Sequence, residues 1–369
     1  MAYAKKKAAK TDESDIKLKK LKSDIADGTC KRAYLFYGDE AYLRDYYTSE
    51  IKKALISDLF EAFNYHKFDG KDLTAEILKE TAEAMPVMSD RSLIVISDYD
   101  LFKLPGGQRD ELVLFLNDLP EWVCIIFIYD IIPYQANKSV KKLYNALNEN
   151  VEMIEFRALG QNDLIKWITG RFKNFNKKIS VAAAEYLIFT RGDLMTGLIP
   201  EIEKLASYAP GESITEQDID AVCEPILSTE IFRLSDAVLK DDYDRAAGIL
   251  GDLLKTRTEP ILLLAALGGQ FRKIYTARLA IDNGKNQDWL AELWGMKSYP
   301  AKLLYASAKR ADLTWCAEAV RECEILDSRM KSEGGLDAEG ELKLLLARLG
   351  ASRKTAVKSA LSGKKRYGG

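Results

Sequence analysis

Two hydrophobic periods divide the chain. In its first part, short apolar or β-branched runs of strand length fall at 33–37 (AYLFY), 63–68 (FNYHKF), 93–97 (LIVIS), 123–129 (VCIIFIY) and 151–156 (VEMIEF). Stretches with the apolar spacing of amphipathic helices separate them, at 40–55, 73–84, 108–119 and 139–147. Strands separated by helix-length segments need crossover connections, so the pattern predicts a mainly parallel sheet with helices on its faces. Beyond about Gly160 the strand-like runs stop and helical spacing takes over, at 162–174, 181–190 and 194–208. From 228 to 349 it is almost unbroken: Ile231, Leu234, Ala237 and Val238 form one stripe, and Ile249, Leu250, Leu253 and Leu254 another. The expected fold class is α/β followed by all-α. No internal repeat of fixed period is present.

At about 150 residues per domain, 369 residues predict two or three domains, and 47% apolar with 30% charged residues suits a buried core under a wet surface. The net charge is −2, but residues 1–10 hold four lysines and 353–369 six basic residues, with no acids in either stretch. The body between them therefore sums to −12, which argues against wholesale coating of a nucleic-acid backbone. The tail RKTAVKSALSGKKRYGG has too few apolar residues to bury, and mobility is expected of it. Five scattered cysteines without a C-x-x-C pair fit a reducing cytoplasm. The start MAYAKKKAAKTDESD lacks the apolar run of a secretory signal. No apolar run reaches membrane-spanning length either; the nearest, 260–269, is about half of it.

Most chemistry is excluded by what the chain lacks. The single histidine, His66, lies in a predicted strand and cannot build a zinc triad, so it reads as a surface or half-buried strand residue. Cys316 and Cys323, seven apart on a predicted helix, suit two small core hydrophobes better than a metal site. A phosphate loop after the first strand needs G-x-x-x-x-G-K-[ST], whose glycines free backbone amides for phosphate and whose lysine neutralises it. Here the turn reads Y-G-D-E-A-Y-L from 37 to 43: Gly38 stands alone, and Asp39 and Glu40 repel phosphate. The third strand run ends in Asp98-Tyr99-Asp100, where a turn-forming aspartate is favoured over a metal ligand. The segment A-M-P-V-M-S-D-R at 84–91 admits two readings. Met85, Val87 and Met88 beside Pro86 can tuck beneath the sheet, or stand exposed as a plug for a partner's pocket.

Taken in order, several segments carry a resemblance: YLFYGDEAYLR (34–44), NYHKFDG (64–70), AMPVMSDRSLIVI (84–96), LAALGGQFRKI (264–274) and EILDSRMKSEGGL (324–336). Together with the missing phosphate-loop residues, they resemble the delta-subunit family of bacterial DNA polymerase III, the clamp-opening members of sliding-clamp loaders. The resemblance covers about residues 30–350. It implies an AAA+-like fold without a functional phosphate loop, divided into a basic N-terminal arm and leading helix (1–30), an α/β domain (31–158), a helical lid (159–226), a helical collar (227–350) and a basic tail (351–369). It further implies that Val87 and Met88, with Pro86 and Met85 alongside, contact the beta sliding clamp, and that ATP is bound by neighbouring motor subunits. The implied partners are the gamma/tau and delta-prime subunits through the collar, and primed DNA within the assembly. No intrinsic catalytic site and no cofactor of its own are expected. Many relatives carry an aromatic residue where Met88 stands, a gap that methionine can fill adaptably. The basic tail is either a solubilising end or a contact for DNA phosphates. The competing readings are a divergent nucleotide hydrolase of the same fold and a free-standing DNA-binding adaptor.

Overall fold

The computed structural model describes the backbone of residues 2–256 and 258–364, and the side chains of 14–256 and 258–353. Two compact units result, one of residues 1–159 with 194–196, the other of 160–193 with 197–369. The first contains α1 (Ala2–Ala26), β1 (Ala33–Tyr37), α2 (Ala41–Leu55), a 3-10 turn (Asp58–Phe60), α3 (Glu61–Asn64), β2 (Tyr65–Asp69), α4 (Ala75–Glu83), β3 (Ser92–Ser97), α5 (Gly106–Asn117), β4 (Val123–Ile128), α6 (Lys141–Asn150) and β5 (Glu152–Glu155). Its five strands pair in the order β2-β3-β4-β1-β5, every pair parallel.

Composition explains that order. The central strands β1, β3 and β4 are continuous apolar runs because both their faces are covered. Alternate residues of each strand feed opposite cores. Leu35, Ile94, Ile96, Ile125 and Phe127 pack with Leu78, Leu112 and Leu143 of α4, α5 and α6. Tyr34, Phe36, Leu93, Val95 and Ile126 pack with Leu21 of α1 and with Tyr47 and Ile51 of α2. The edge strands β2 (YHKFD) and β5 (EMIE) carry charge, which discourages further pairing. The second strand begins later than its run suggests: Phe63 and Asn64 close the short helix α3, so β2 starts at Tyr65.

The second unit contains α7 (Gln161–Asn174), β6 (Lys178–Ile179), α8 (Val181–Arg191), α9 (Met195–Tyr208), β7 (Ser213–Ile214), α10 (Glu216–Val222), α11 (Leu227–Leu239), α12 (Tyr243–Lys255), α13 (Pro260–Asp282), α14 (Gln287–Trp294), α15 (Ser298–Ala308), α16 (Leu313–Ser332) and α17 (Ala338–Lys364). The first residues of α9, Met195 and Thr196, count with the first unit. Strand structure does not stop at Gly160 as expected, since β6 and β7 form a two-residue parallel ladder. The segments expected as separate lid and collar share one unit. Phe189 of α8 meets Phe232 of α11 and Tyr299 of α15 edge-on, with ring centroids 5.4 and 5.8 Å apart. Arg233 of α11 also reaches Tyr186 of α8 and the Asp220 carboxylate of α10.

Around α13 the later helices bury Leu263, Leu264, Leu267, Phe271 and Ile274 together with Trp315, Cys316 and Cys323 of α16. Burial pushes both thiols up to about 12. Expected mobility of the tail from residue 351 needs correction at its start. α17 continues to Lys364, and Arg353 is buried, donating to the carbonyls of Leu239 and Arg310, pairing with Asp241 and lying over the Trp315 ring. Leu239 is the last residue of α11 and Arg310 follows the end of α15, so one guanidinium satisfies carbonyls at two helix ends. The lysines of residues 1–10 and the basic residues beyond Arg353 lie outside the described side chains.

Candidate functional site

The apolar segment before β3 is exposed. α4 ends at Glu83 because Pro86 lies ahead and holds the preceding backbone extended. Met85 is 75%, Val87 43% and Met88 80% exposed, while Pro86 is half-buried. This knuckle sits where the chain enters β3, at the amino edge of the parallel sheet. Its backbone is fixed from behind. The buried side chain of Asn64 donates through Nδ2 to the Val87 carbonyl at 2.8 Å and accepts the Val87 N–H at 2.7 Å. Beyond it, the Ser89 hydroxyl donates to the Arg91 carbonyl, and the Arg91 guanidinium donates to the carbonyls of Cys30 at 2.6 Å and Val123 at 2.9 Å. Between these anchors Met88 adopts a φ of 51°, a conformation uncommon outside glycine.

Two exposed residues escaped the sequence reading. Leu59 and Phe63 are 85% and 61% exposed on the short connector that ends at Asn64. Their four-residue spacing on a helical turn was the available signal; nothing in the sequence couples residue 64 to residue 87.

The turn after β1 is the opposite kind of place. Only Gly38, Asp39 and Glu40 separate Tyr37 from the start of α2. Phe156 N–H donates to the Tyr37 carbonyl at 2.7 Å, and Glu40 N–H to the Phe156 carbonyl at 3.1 Å, so Phe156, the residue after β5, clamps the turn at both ends. Gly38 has a φ of 116°, and a Cβ there would stand 2.2 Å from the Phe156 carbonyl oxygen. The Glu40 carboxylate is fully buried and accepts the Met195 N–H at 3.1 Å. Arg44, itself buried on α2, donates to the Gly38 carbonyl and ion-pairs with Asp130.

Asp98 has a structural task. At a φ of 56°, its Oδ1 accepts the N–H groups of Asp130, Ile131 and Ile132, each at 3.0 Å, and so anchors the loop after β4. Asp100 pairs with Lys103 at 3.0 Å. His66 is half-buried in the edge strand β2. Among the described residues, no group of three or more His, Cys, Asp or Glu is placed to hold a metal ion. Nor is any described helix long and apolar enough to cross a membrane.

Comparison with known proteins agrees across the chain. Residues 34–157 match the family model described as DNA polymerase III, delta subunit, and residues 228–349 match that of the delta subunit's C-terminal domain. The DNA polymerase III subunit delta of Bacillus subtilis (strain 168) is 25% identical over 331 residues, covering 88% of this chain and 94% of that protein. A probable DNA polymerase III subunit delta of Aquifex aeolicus (strain VF5) is 22% identical over 292 residues, covering 76% of this chain and 81% of that one. Among solved structures, the Bacillus subtilis DNA clamp loader delta protein superposes with a TM-score of 0.52 at 24% identity, covering 90% of this chain and 99% of that one. That likeness bears out the expected fold class, a parallel α/β domain followed by helices. With both halves matched by models of one family, the chain belongs to the DNA polymerase III delta-subunit family.

Proposed function

We propose that this chain is the clamp-loader subunit that grips the beta sliding clamp and biases its ring toward the open form during replication. The carrying observation is the apolar knuckle Met85–Met88, exposed in side chain yet fixed in backbone. An apolar side chain moved fully out of water contributes about 1.5–3 kcal/mol, so Met88 with part of Val87 supplies a few kcal/mol. Each 1.4 kcal/mol by which the open ring is favoured over the closed one shifts that equilibrium tenfold. No covalent step is involved: the work is differential binding.

The chain's own turn after β1 supports leaving ATP to neighbouring motor subunits. A phosphate cradle needs several free amides on a long glycine-rich loop. Here the loop is three residues, the Glu40 amide is taken by Phe156, and a carboxylate and a guanidinium fill the place beside it. Gamma/tau and delta-prime subunits would meet the chain through its C-terminal helices, and primed DNA would pass within the assembly, in the cytoplasm.

Binding of the full chain to purified sliding clamp tests this. Val87→Ala with Met88→Ala is expected to weaken it at least about tenfold. Undiminished affinity would move the contact elsewhere, and ATP turnover by the isolated chain that Gly38 variants abolish would favour the hydrolase instead.

A further inference from the structure

Asn64 spends both polar atoms of a fully buried side chain on a single residue, Val87. A side-chain amide presents the same donor and acceptor as a peptide group, so Asn64 imitates one step of a strand ladder at the sheet's amino edge. That grip fixes the orientation of Val87 and holds one end of the segment in which Met88 takes its left-handed conformation. It also ties the knuckle to the connector before β2. Ile56 and Ser57 line one shallow hollow with Met88, Ser89 and Asp90, and the same connector carries the exposed Leu59 and Phe63. Scattered surface hydrophobes need no explanation, but Phe63 directly precedes the residue that holds Val87, so this connector brings further exposed apolar residues to the fixed turn.

We propose that Asn64 is the positioning residue of the knuckle, and that Leu59 and Phe63 form a second apolar prong against the same face of the sliding clamp. The proposal rests on the reading of residues 85–88 as the clamp contact, because the prong's occupant follows from its continuity with them. A pre-set turn binds without first losing the conformational freedom of a loose one, so releasing Val87 weakens the grip even with every apolar side chain retained.

The test uses the full chain and purified sliding clamp, with the Val87→Ala/Met88→Ala pair as reference. Asn64→Ala is expected to weaken binding about tenfold alone and to cause no further loss in the reference background, since a positioning residue acts only through what it positions. Asn64→Asp, which keeps the acceptor for the Val87 N–H and lacks the donor, is expected to fall between. Hydrogen exchange should show Val87 losing protection in Asn64→Ala while the β3 amides keep theirs. Leu59→Ser with Phe63→Ser is expected to weaken binding about fivefold, and this surface pair carries the test should Asn64→Ala fail to fold. Full additivity of Asn64→Ala with the reference pair overturns the positioning role, and wild-type affinity of Leu59→Ser/Phe63→Ser overturns the prong. Wild-type affinity of the reference pair itself would remove the clamp-contact reading and the proposal with it.

Discussion

Two turns of the α/β unit reverse the usual relation between polarity and burial. The Gly38–Glu40 turn at the carboxyl edge of the sheet is polar and closed, with Glu40 and Arg44 buried. The knuckle at the amino edge is apolar and open, with Met85 and Met88 three-quarters or more exposed. In open parallel sheets ligands gather at the carboxyl ends of the strands. Here the place after β1 is taken by the protein's own carboxylate, guanidinium and carbonyl groups, whereas the turn before β3 offers apolar side chains to water. The difference teaches that one parallel sheet can carry a closed polar turn at one edge and an exposed apolar turn, fixed in its backbone, at the other. Both turns are fixed by hydrogen bonds to backbone, but by different groups: the main chain of Phe156 clamps the first, and the side chain of Asn64 holds the second.

The sharpest way to break this contrast is to make each turn bear the other's substitution. Gly38→Val places a side chain against immovable backbone at a disfavoured φ, and a loss of about 3–5 kcal/mol is expected in urea denaturation. A loss below about 1 kcal/mol would mean that the turn is not closed against Phe156. Met88→Gly does the reverse: it relieves a left-handed methionine while freeing the unfolded chain, so stability should stay within about 1 kcal/mol of wild type. On the proposed clamp contact, affinity for the sliding clamp should nevertheless fall while stability holds.

The smallest expected effect is the pH dependence that Asp69 and Asp45 contribute in the α/β unit. Hydrogen bonds from the Lys71 side chain and amide hold the Asp69 carboxyl below the usual aspartate range, whereas partial desolvation and the neighbouring Asp130 push Asp45 above it. The Asp69 contribution is therefore present above about pH 4 and lost as pH falls through its lowered value. Asp45 stabilises only while protonated, and that contribution is lost as pH rises from about 4 through its raised value. At pH 7, Asp69→Asn should lower stability and Asp45→Asn should not; at pH 3 both differences should shrink, while that of Met88→Gly stays constant. Urea melts at the two pH values check the signs.

Legibility followed the range of the interactions involved. β1 matches its apolar run at both ends, because a continuous five-residue run covered on both faces leaves little choice. The edge strand β2 starts two residues later than its run, since FNYHKF is locally acceptable as strand while Asn64, closing α3, is held by Val87 from far along the chain. The ladder of β6 and β7 is too short to leave a period. Arg353 is not legible from a count of apolar residues, because a guanidinium lying over Trp315 and bonded to carbonyls at two helix ends can be buried without them. At the knuckle, methionine and valine suited core and surface alike, so pattern alone left both readings open.

What the amino-acid sequence determined by itself was the order of strands and helices, the shift from one hydrophobic period to the other, and the absence of the residues that cradle a triphosphate. Tertiary structure alone decided that Met85, Val87 and Met88 face water, that Glu40 and Arg44 do not, and that Asn64 holds the turn. The reason is physical: periodicity and turn chemistry act between neighbours along the chain. Exposure and hydrogen-bond closure depend instead on groups brought together from far apart, such as Asn64 with Val87 and Gly38 with Phe156.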